Sequence, residues 1–128
     1  MNLEVPISPG ELLDKITILE IKLARMSDPA KLANVQREHV ALVAVESGLP
    51  AHVAGLAALR QRLREINEAL WDIEDDIRDH ERARDFGEKF VQLARAVYHT
   101  NDQRAAVKRE INEALGSALV EEKSYAAY

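Results

Sequence analysis

Apolar side chains recur along most of this chain at three- and four-residue intervals, the period of a helix buried along one stripe. The clearest run is Leu56, Leu59, Leu63, Ile66, Leu70, Ile73 and Ile77, which predicts a long third helix over about 51–82. At 1.5 Å per residue such a helix spans roughly 45 Å, suited to the spine of a bundle or to a dimer seam. Upstream, SPGELLDK carries the signals of a helix start. Ser8 caps, Pro9 takes the first helical position, Glu11 completes a capping box, and Ile7 and Leu12 form a hydrophobic staple. That first helix runs to about Met26 on the stripe Leu12, Ile16, Leu19, Leu23 and Met26. Asp28-Pro29 starts a second helix with Leu32, Val35, His39 and Leu42 on its stripe, and Ser47-Gly48-Leu49-Pro50 stops it near Glu46.

Downstream, Asp85-Phe86-Gly87-Glu88 reads as a cap for a helix carrying Phe86, Phe90, Leu93 and Val97. Thr100-Asn101-Asp102-Gln103 either caps a fifth helix or is a polar turn inside one continuous helix. The stripe resumes at Val107, Ile111 and Leu115, and Gly116 ends it. Residues 2–7 alternate Leu3, Val5 and Ile7 and are expected to lie extended against the body; the tail 117–128 has no single period. The expected architecture is all-α, one domain over 1–128, a bundle of four to five helices.

The heptapeptide REINEAL occurs twice, at Arg64–Leu70 and Arg109–Leu115, but similarity stops at once on both sides. Two copies with unrelated flanks are not a repeat architecture. They are two helices with the same packing solution, each placing an asparagine, Asn67 or Asn112, beside its stripe. Asparagine is a mediocre helix former, so each is expected to be held by a hydrogen bond across a helix interface.

With 47% apolar and 30% charged residues, the chain of 128 residues has a globular composition. Its net charge of −5 argues against nucleic acid, which wants a basic face. It has no cysteine, which excludes thiolate catalysis and cysteine metal sites. The start MNLEVPISPGE lacks the basic and apolar regions of a signal peptide, and no apolar run reaches membrane-spanning length. The expectation is a cytoplasmic protein that contacts no membrane.

Chemistry is sought on the helix faces, because no GxSxG and no glycine-rich phosphate loop is present. Glu65, Glu68, Asp72, Asp75 and Asp79 form an acidic ladder on the outer side of the third helix. The ExxE pair in it lacks the second carboxylate pair that all-α pyrophosphatases use for magnesium, so a solvated face is favoured. Beside the seam lie Asn67, Trp71, Glu74 and Arg78, with Arg60 and Arg64 a turn or two before. Glu74 and Arg78 are spaced to pair. The single tryptophan, next to amide and charged side chains, suits a wall for a polar ligand or a hot spot for a partner helix. Lys15 on the first helix and the row Asn101, Arg104 and Lys108 on the last supply counterpart groups for an anion between helices. The four histidines share no ligand spacing, so no metal, cofactor or catalytic histidine is assigned.

SPGELLDKITILEIKL, INEALWDIEDDIR, FVQLARAVYHTNDQRAAVKREIN and EEKSY together resemble a family of small uncharacterised bacterial proteins, a domain of unknown function. The resemblance implies membership over nearly the whole chain and no activity. Glu11, Asp14, Lys15 and Lys22 fall within its motifs, as do Asn67, Trp71, Glu74, Asp75 and Arg78. So do Arg95, Tyr98, Asn101, Asp102, Arg104 and Lys108.

Two readings of function remain. One is a binding or assembly module whose polar helix face holds a partner protein or an anionic small molecule, in a chain that forms a homo-oligomer, most simply a dimer. The other is a small all-α enzyme acting on a phosphorylated or carboxylated metabolite. There Arg78, Arg104 and Lys108 would hold the anion, and Glu74 or Asp75 would serve as base or metal ligand. What separates them is whether these groups converge on one cavity.

Overall fold

A computed structural model describes residues 1–128 as four helices between two extended ends, with no strand: α1 (Pro9–Arg25), α2 (Pro29–Glu46), α3 (Leu56–Ala83) and α4 (Glu88–Ala114). The fold is an all-α bundle with a long third helix. No helix is long and apolar enough to cross a membrane.

The helix starts follow local chemistry. Ser8 is extended and its hydroxyl accepts from the Glu11 N–H at 3.1 Å, with Pro9 in the first turn. The expected reciprocal half of the capping box is absent, because the Glu11 carboxylate accepts from Lys108 instead, at 2.9 Å. Ile7 stays 38% exposed, and residues 1–7 are extended but uncovered rather than laid against the body. The Asp28 carboxylate caps α2 by accepting from the Ala30 and Lys31 N–H groups.

Two boundaries differ from the sequence pattern, and one that the pattern left open is settled. α3 begins at Leu56, five residues late, because Pro50 is followed by a turn in which Gly55 takes φ +80°, a conformation glycine tolerates. Phe86 lies before α4, where Gly87 is the N-cap, and remains 53% exposed. Residues 100–103 do not interrupt anything: α4 runs unbroken through them to Ala114. Gly116, at φ +63°, then turns the chain, and the Ser117 N–H returns to the Asn112 carbonyl at 2.9 Å.

The spine of the bundle is α1, not α3. α1 packs on each of the other three helices, whereas α2 packs closely on α1 alone. Hence Leu12, Leu13, Ile16, Leu19 and Ile21 are all buried, a set too wide for one stripe. α3 and α4 form an antiparallel hairpin through the short turn at 84–87. Leu63, Val107 and Ile111 of that hairpin close with Leu13 into a core of fully buried side chains. Arg60 ties the N-terminal end of α3 to both other partners, donating to Glu20 on α1 and Glu46 on α2. Burial works against that guanidinium, but the hydrogen bonds to Glu46 and Glu20 outweigh it and raise its pKa.

α1, with 17 residues, is about 25 Å long against about 40 Å for the hairpin. It therefore leaves the hairpin tip as two helices, where Ile73, Ile77 and Phe90 are only half-buried.

α1 can approach α4 so closely because Gly10 has no side chain. A Cβ there would stand 2.6 Å from the Lys108 carbonyl oxygen and 2.8 Å from Asn112 Oδ1. Gly10→Ala, which helix propensity alone would favour by about 1 kcal/mol, is expected to lower stability by about 1–3 kcal/mol. Urea unfolding measures this, and a variant as stable as the native chain would show that the contact is loose.

Candidate functional site

The polar heart of the molecule is Asp14 of α1, a carboxylate 1% exposed. Its position follows from the helix period: Asp14 shares the side of α1 that meets the α3–α4 groove with the buried Thr17. Arg104 of α4 holds it in a two-pronged pair, Nε donating to Oδ1 at 2.8 Å and Nη2 to Oδ2. From α3, Asn67 Nδ2 donates to the same Oδ1 at 3.0 Å and to Thr17 Oγ1 at 3.1 Å. The Thr17 hydroxyl in turn donates to the Asp14 carbonyl at 3.0 Å. The hydrogen bonds to Asp14 raise the Arg104 pKa further, with burial opposing them.

One helical turn on, Lys108 extends the network. Its ammonium, with the side chain only 9% exposed, donates to Glu11 at 2.9 Å and to Glu121 at 3.0 Å, and lies 4.0 Å from Asp14. Burial works against its charge, yet the bonds to Glu11 and Glu121 prevail and raise its pKa above the ordinary lysine value. Asn112 completes the arrangement by accepting the Gly10 N–H at 2.7 Å. Both asparagines of the REINEAL copies are thus tied across helix interfaces, as their helix propensity suggested, but to different partners.

Toward the hairpin tip the network opens into a cleft of about 430 Å³ between α1, α3 and α4. Asn67, Trp71, Glu74 and Arg78 line it from α3, Asn101 and Arg104 from α4, and Ile18 and Ile21 from α1. Arg78 is paired with Glu74 one turn back, at the exposed rim, its side chain 62% accessible. Six of the eight residues proposed from sequence therefore border one cleft. Lys108 does not: it lines a smaller neighbouring pocket of about 230 Å³ that shares Asn101 and Arg104 with the cleft. Lys15 is exposed and borders neither.

Other candidates resolve differently. Arg60 and Arg64 turn to Glu20 rather than into the cleft. Three of the five carboxylates of the acidic ladder are paired, Glu68 with Arg64, Asp72 with Arg25 and Asp79 with Arg82. No group of three or more His, Asp or Glu side chains is placed to hold a metal ion. His39 is half-buried with Nε2 enclosed and unpartnered, not the hydrogen-bonded core residue its stripe position suggests.

Glu121 is the contributor that periodicity missed. It lies in the tail, which folds back along α4 and brings Glu122 to Arg109 at 3.1 Å. Tyr128 stacks edge-on against Tyr98, with ring centroids 5.2 Å apart, and donates its hydroxyl to Asp102. That bond pushes the Tyr128 hydroxyl up to about 12. The acidic pair Glu121-Glu122, inside the EEKSY motif, was the signal in the sequence.

Fold and cleft define a small all-α protein with a polar site where three helices meet. More particularly, residues 3–128 match the model of a family of unknown function, DUF6165, and the chain belongs to that family. No curated protein and no solved structure matches it.

Asn67→Ala removes the donor shared by Asp14 and Thr17 and is expected to cost about 1–3 kcal/mol. Asn34→Ala, on the exposed side of α2, should cost nothing. Urea titrations that rank the two equally would show that the buried amide is not a structural tie.

Proposed function

We propose that this protein is a non-enzymatic binding module whose cleft receives the anionic group of a small molecule. Arg78 and Arg104 hold the anion and Trp71 supplies the apolar wall. The observation that carries this reading is the geometry of Arg104. Its Nε and Nη2 are occupied by Asp14, while Nη1 has no partner in the protein and the residue lines the cleft. Asp14 thus fixes the guanidinium plane in advance, which lowers the ordering cost of binding.

Arg78 complements it with freedom. Its pairing with Glu74 is exposed, and such i,i+4 pairs are worth only about 0.3–0.5 kcal/mol. A carboxylate or phosphate entering the cleft can draw Arg78 away from Glu74 at little cost.

The charge arrangement favours binding over catalysis. Lys108, an anion-holding group in the enzymatic reading, faces Glu11 and Glu121 in the neighbouring pocket rather than the cleft. Asp75, a carboxylate at the cleft, is exposed to solvent.

A second copy of the chain is the macromolecular occupant this surface favours. Phe86 and Val91 at the uncovered hairpin tip are 53% and 51% exposed. The chain as a whole exposes 8753 Å², where a compact monomer of its mass exposes about 6,800 Å². The extended termini carry part of that difference. The tip carries another part, adjoining the cleft that holds Trp71.

Thermal unfolding against a panel of nucleotides, sugar nucleotides and carboxylate metabolites tests the ligand reading, with Trp71 fluorescence followed on dilution. A ligand at a hundred times its dissociation constant adds about 2.7 kcal/mol. That shift should vanish in Arg78→Ala. No shift across the panel, together with fluorescence that changes on dilution, would contradict the ligand reading and place Trp71 near a subunit interface.

A further inference from the structure

The segment 117–128 is neither helix nor strand, yet it is not free. It reverses at Gly116 and runs back along α4, reaching Lys108 with Glu121, Arg109 with Glu122 and Asp102 with Lys123. Tyr128 closes the path on Asp102, with its ring against Tyr98 at 5.2 Å and His99 at 4.8 Å. These contacts cover about three turns of α4.

Apart from the exposed ring contacts of Tyr128, their chemistry is polar. Every residue from 118 to 128 is exposed, including Leu119, Val120 and Tyr125, so no buried apolar side chain holds the segment down. Exposed ion pairs are weak singly and screened by salt. Ordering a dozen residues carries an entropic cost that such contacts barely offset. The segment nevertheless covers an important group. With Glu121 seated, the Lys108 side chain is 9% exposed, and Glu121 and Lys123 wall the pocket that shares Asn101 and Arg104 with the cleft.

We propose that residues 117–128 form a reversible latch that opens and closes as one unit over Lys108. Closed, it places the Glu121 carboxylate where an incoming carboxylate or phosphate would meet the ammonium. Open, it joins the pocket at Lys108 to the cleft through Asn101 and Arg104. Gly116, already at positive φ, is the hinge. The occlusion of Lys108 stands on these contacts alone; its role in admitting an anion rests on the ligand reading of the cleft.

Lysine acylation of the full chain, read residue by residue by mass spectrometry, tests this. In the native protein Lys108 should react many-fold more slowly than exposed Lys15. The distal double variant Asp102→Asn, Tyr128→Phe touches neither Lys108 nor its partners. It should raise the Lys108 rate several-fold and leave Lys15 unchanged. Raising salt to about 0.5 M should do the same to the native chain, because the latch contacts are screened. This second arm decides the matter even if the variant perturbs the fold.

A Lys108 that reacts as fast as Lys15 from the start would overturn the proposal. So would a Lys108 indifferent to both the distal variant and salt. Repeating the metabolite panel on the distal variant separates the two ideas. A latch that opens while no ligand shifts the melting curve leaves the latch standing and removes the ligand reading. A ligand effect that needs Arg78, with Lys108 unresponsive throughout, does the reverse.

Discussion

A carboxylate cannot sit in a protein interior without a partner, and that constraint organises this molecule. Asp14 is 1% exposed. Leaving its charge uncompensated there would cost several kcal/mol. Its neutralisation by Arg104 and its hydrogen bond from Asn67 fix which residue of α4, and which of α3, stands opposite the middle of α1. Apolar packing around Leu13, Leu63, Val107 and Ile111 supplies attraction but tolerates sliding by one turn. The polar set does not, because a shift of one turn would strand a buried charge. Gly10 and Asn112 add a second fixed point about two turns toward the end of α4.

The same contact links fold to site. An arginine held on two prongs has a determined plane, so Arg104, which lines the cleft, keeps its Nη1 unpaired in a fixed orientation for reasons of stability. Along α4 the charged row continues to Lys108, where the compensating groups change from buried to partly exposed: first Asp14, then Glu11, then Glu121 on the tail. Buried charge at one end holds the helices together, while the charge at the other end is compensated by groups that solvent reaches.

Much of this was legible in the sequence, and the reasons for the remainder are physical. Caps are local, so Ser8 and Asp28 marked their helices correctly, and the leucine seam of α3 is a single uninterrupted period. The two asparagines stood out because they disfavour helix and yet flank a core stripe. The central place of α1 was hidden by the habit of reading one stripe, although Leu13, Ile18 and Ile21 off that stripe already implied burial on several sides. Thr100–Gln103 left a cap and a continuous helix equally open, because cap residues and exposed helical polar residues are the same chemical types. Glu121 escaped because its partner lies 13 residues back across a chain reversal, where no helical period connects them. For the cleft, spacing could place Asn67, Trp71, Glu74 and Arg78 on one face. It could not show that Arg104 meets them while Lys15 points away, since that depends on how three helices are assembled.

The most direct test of the central claim is a double-mutant cycle at Asp14 and Arg104, using Asp14→Asn, Arg104→Met and their combination in urea unfolding. If this pair fixes the bundle, each single change should lose about 3 kcal/mol, because it strands the other buried group. The double variant should then lose at least about 2 kcal/mol less than the two separate losses together. Losses that simply add, within about 0.5 kcal/mol, would contradict the account and leave apolar packing alone as the source of the helix register.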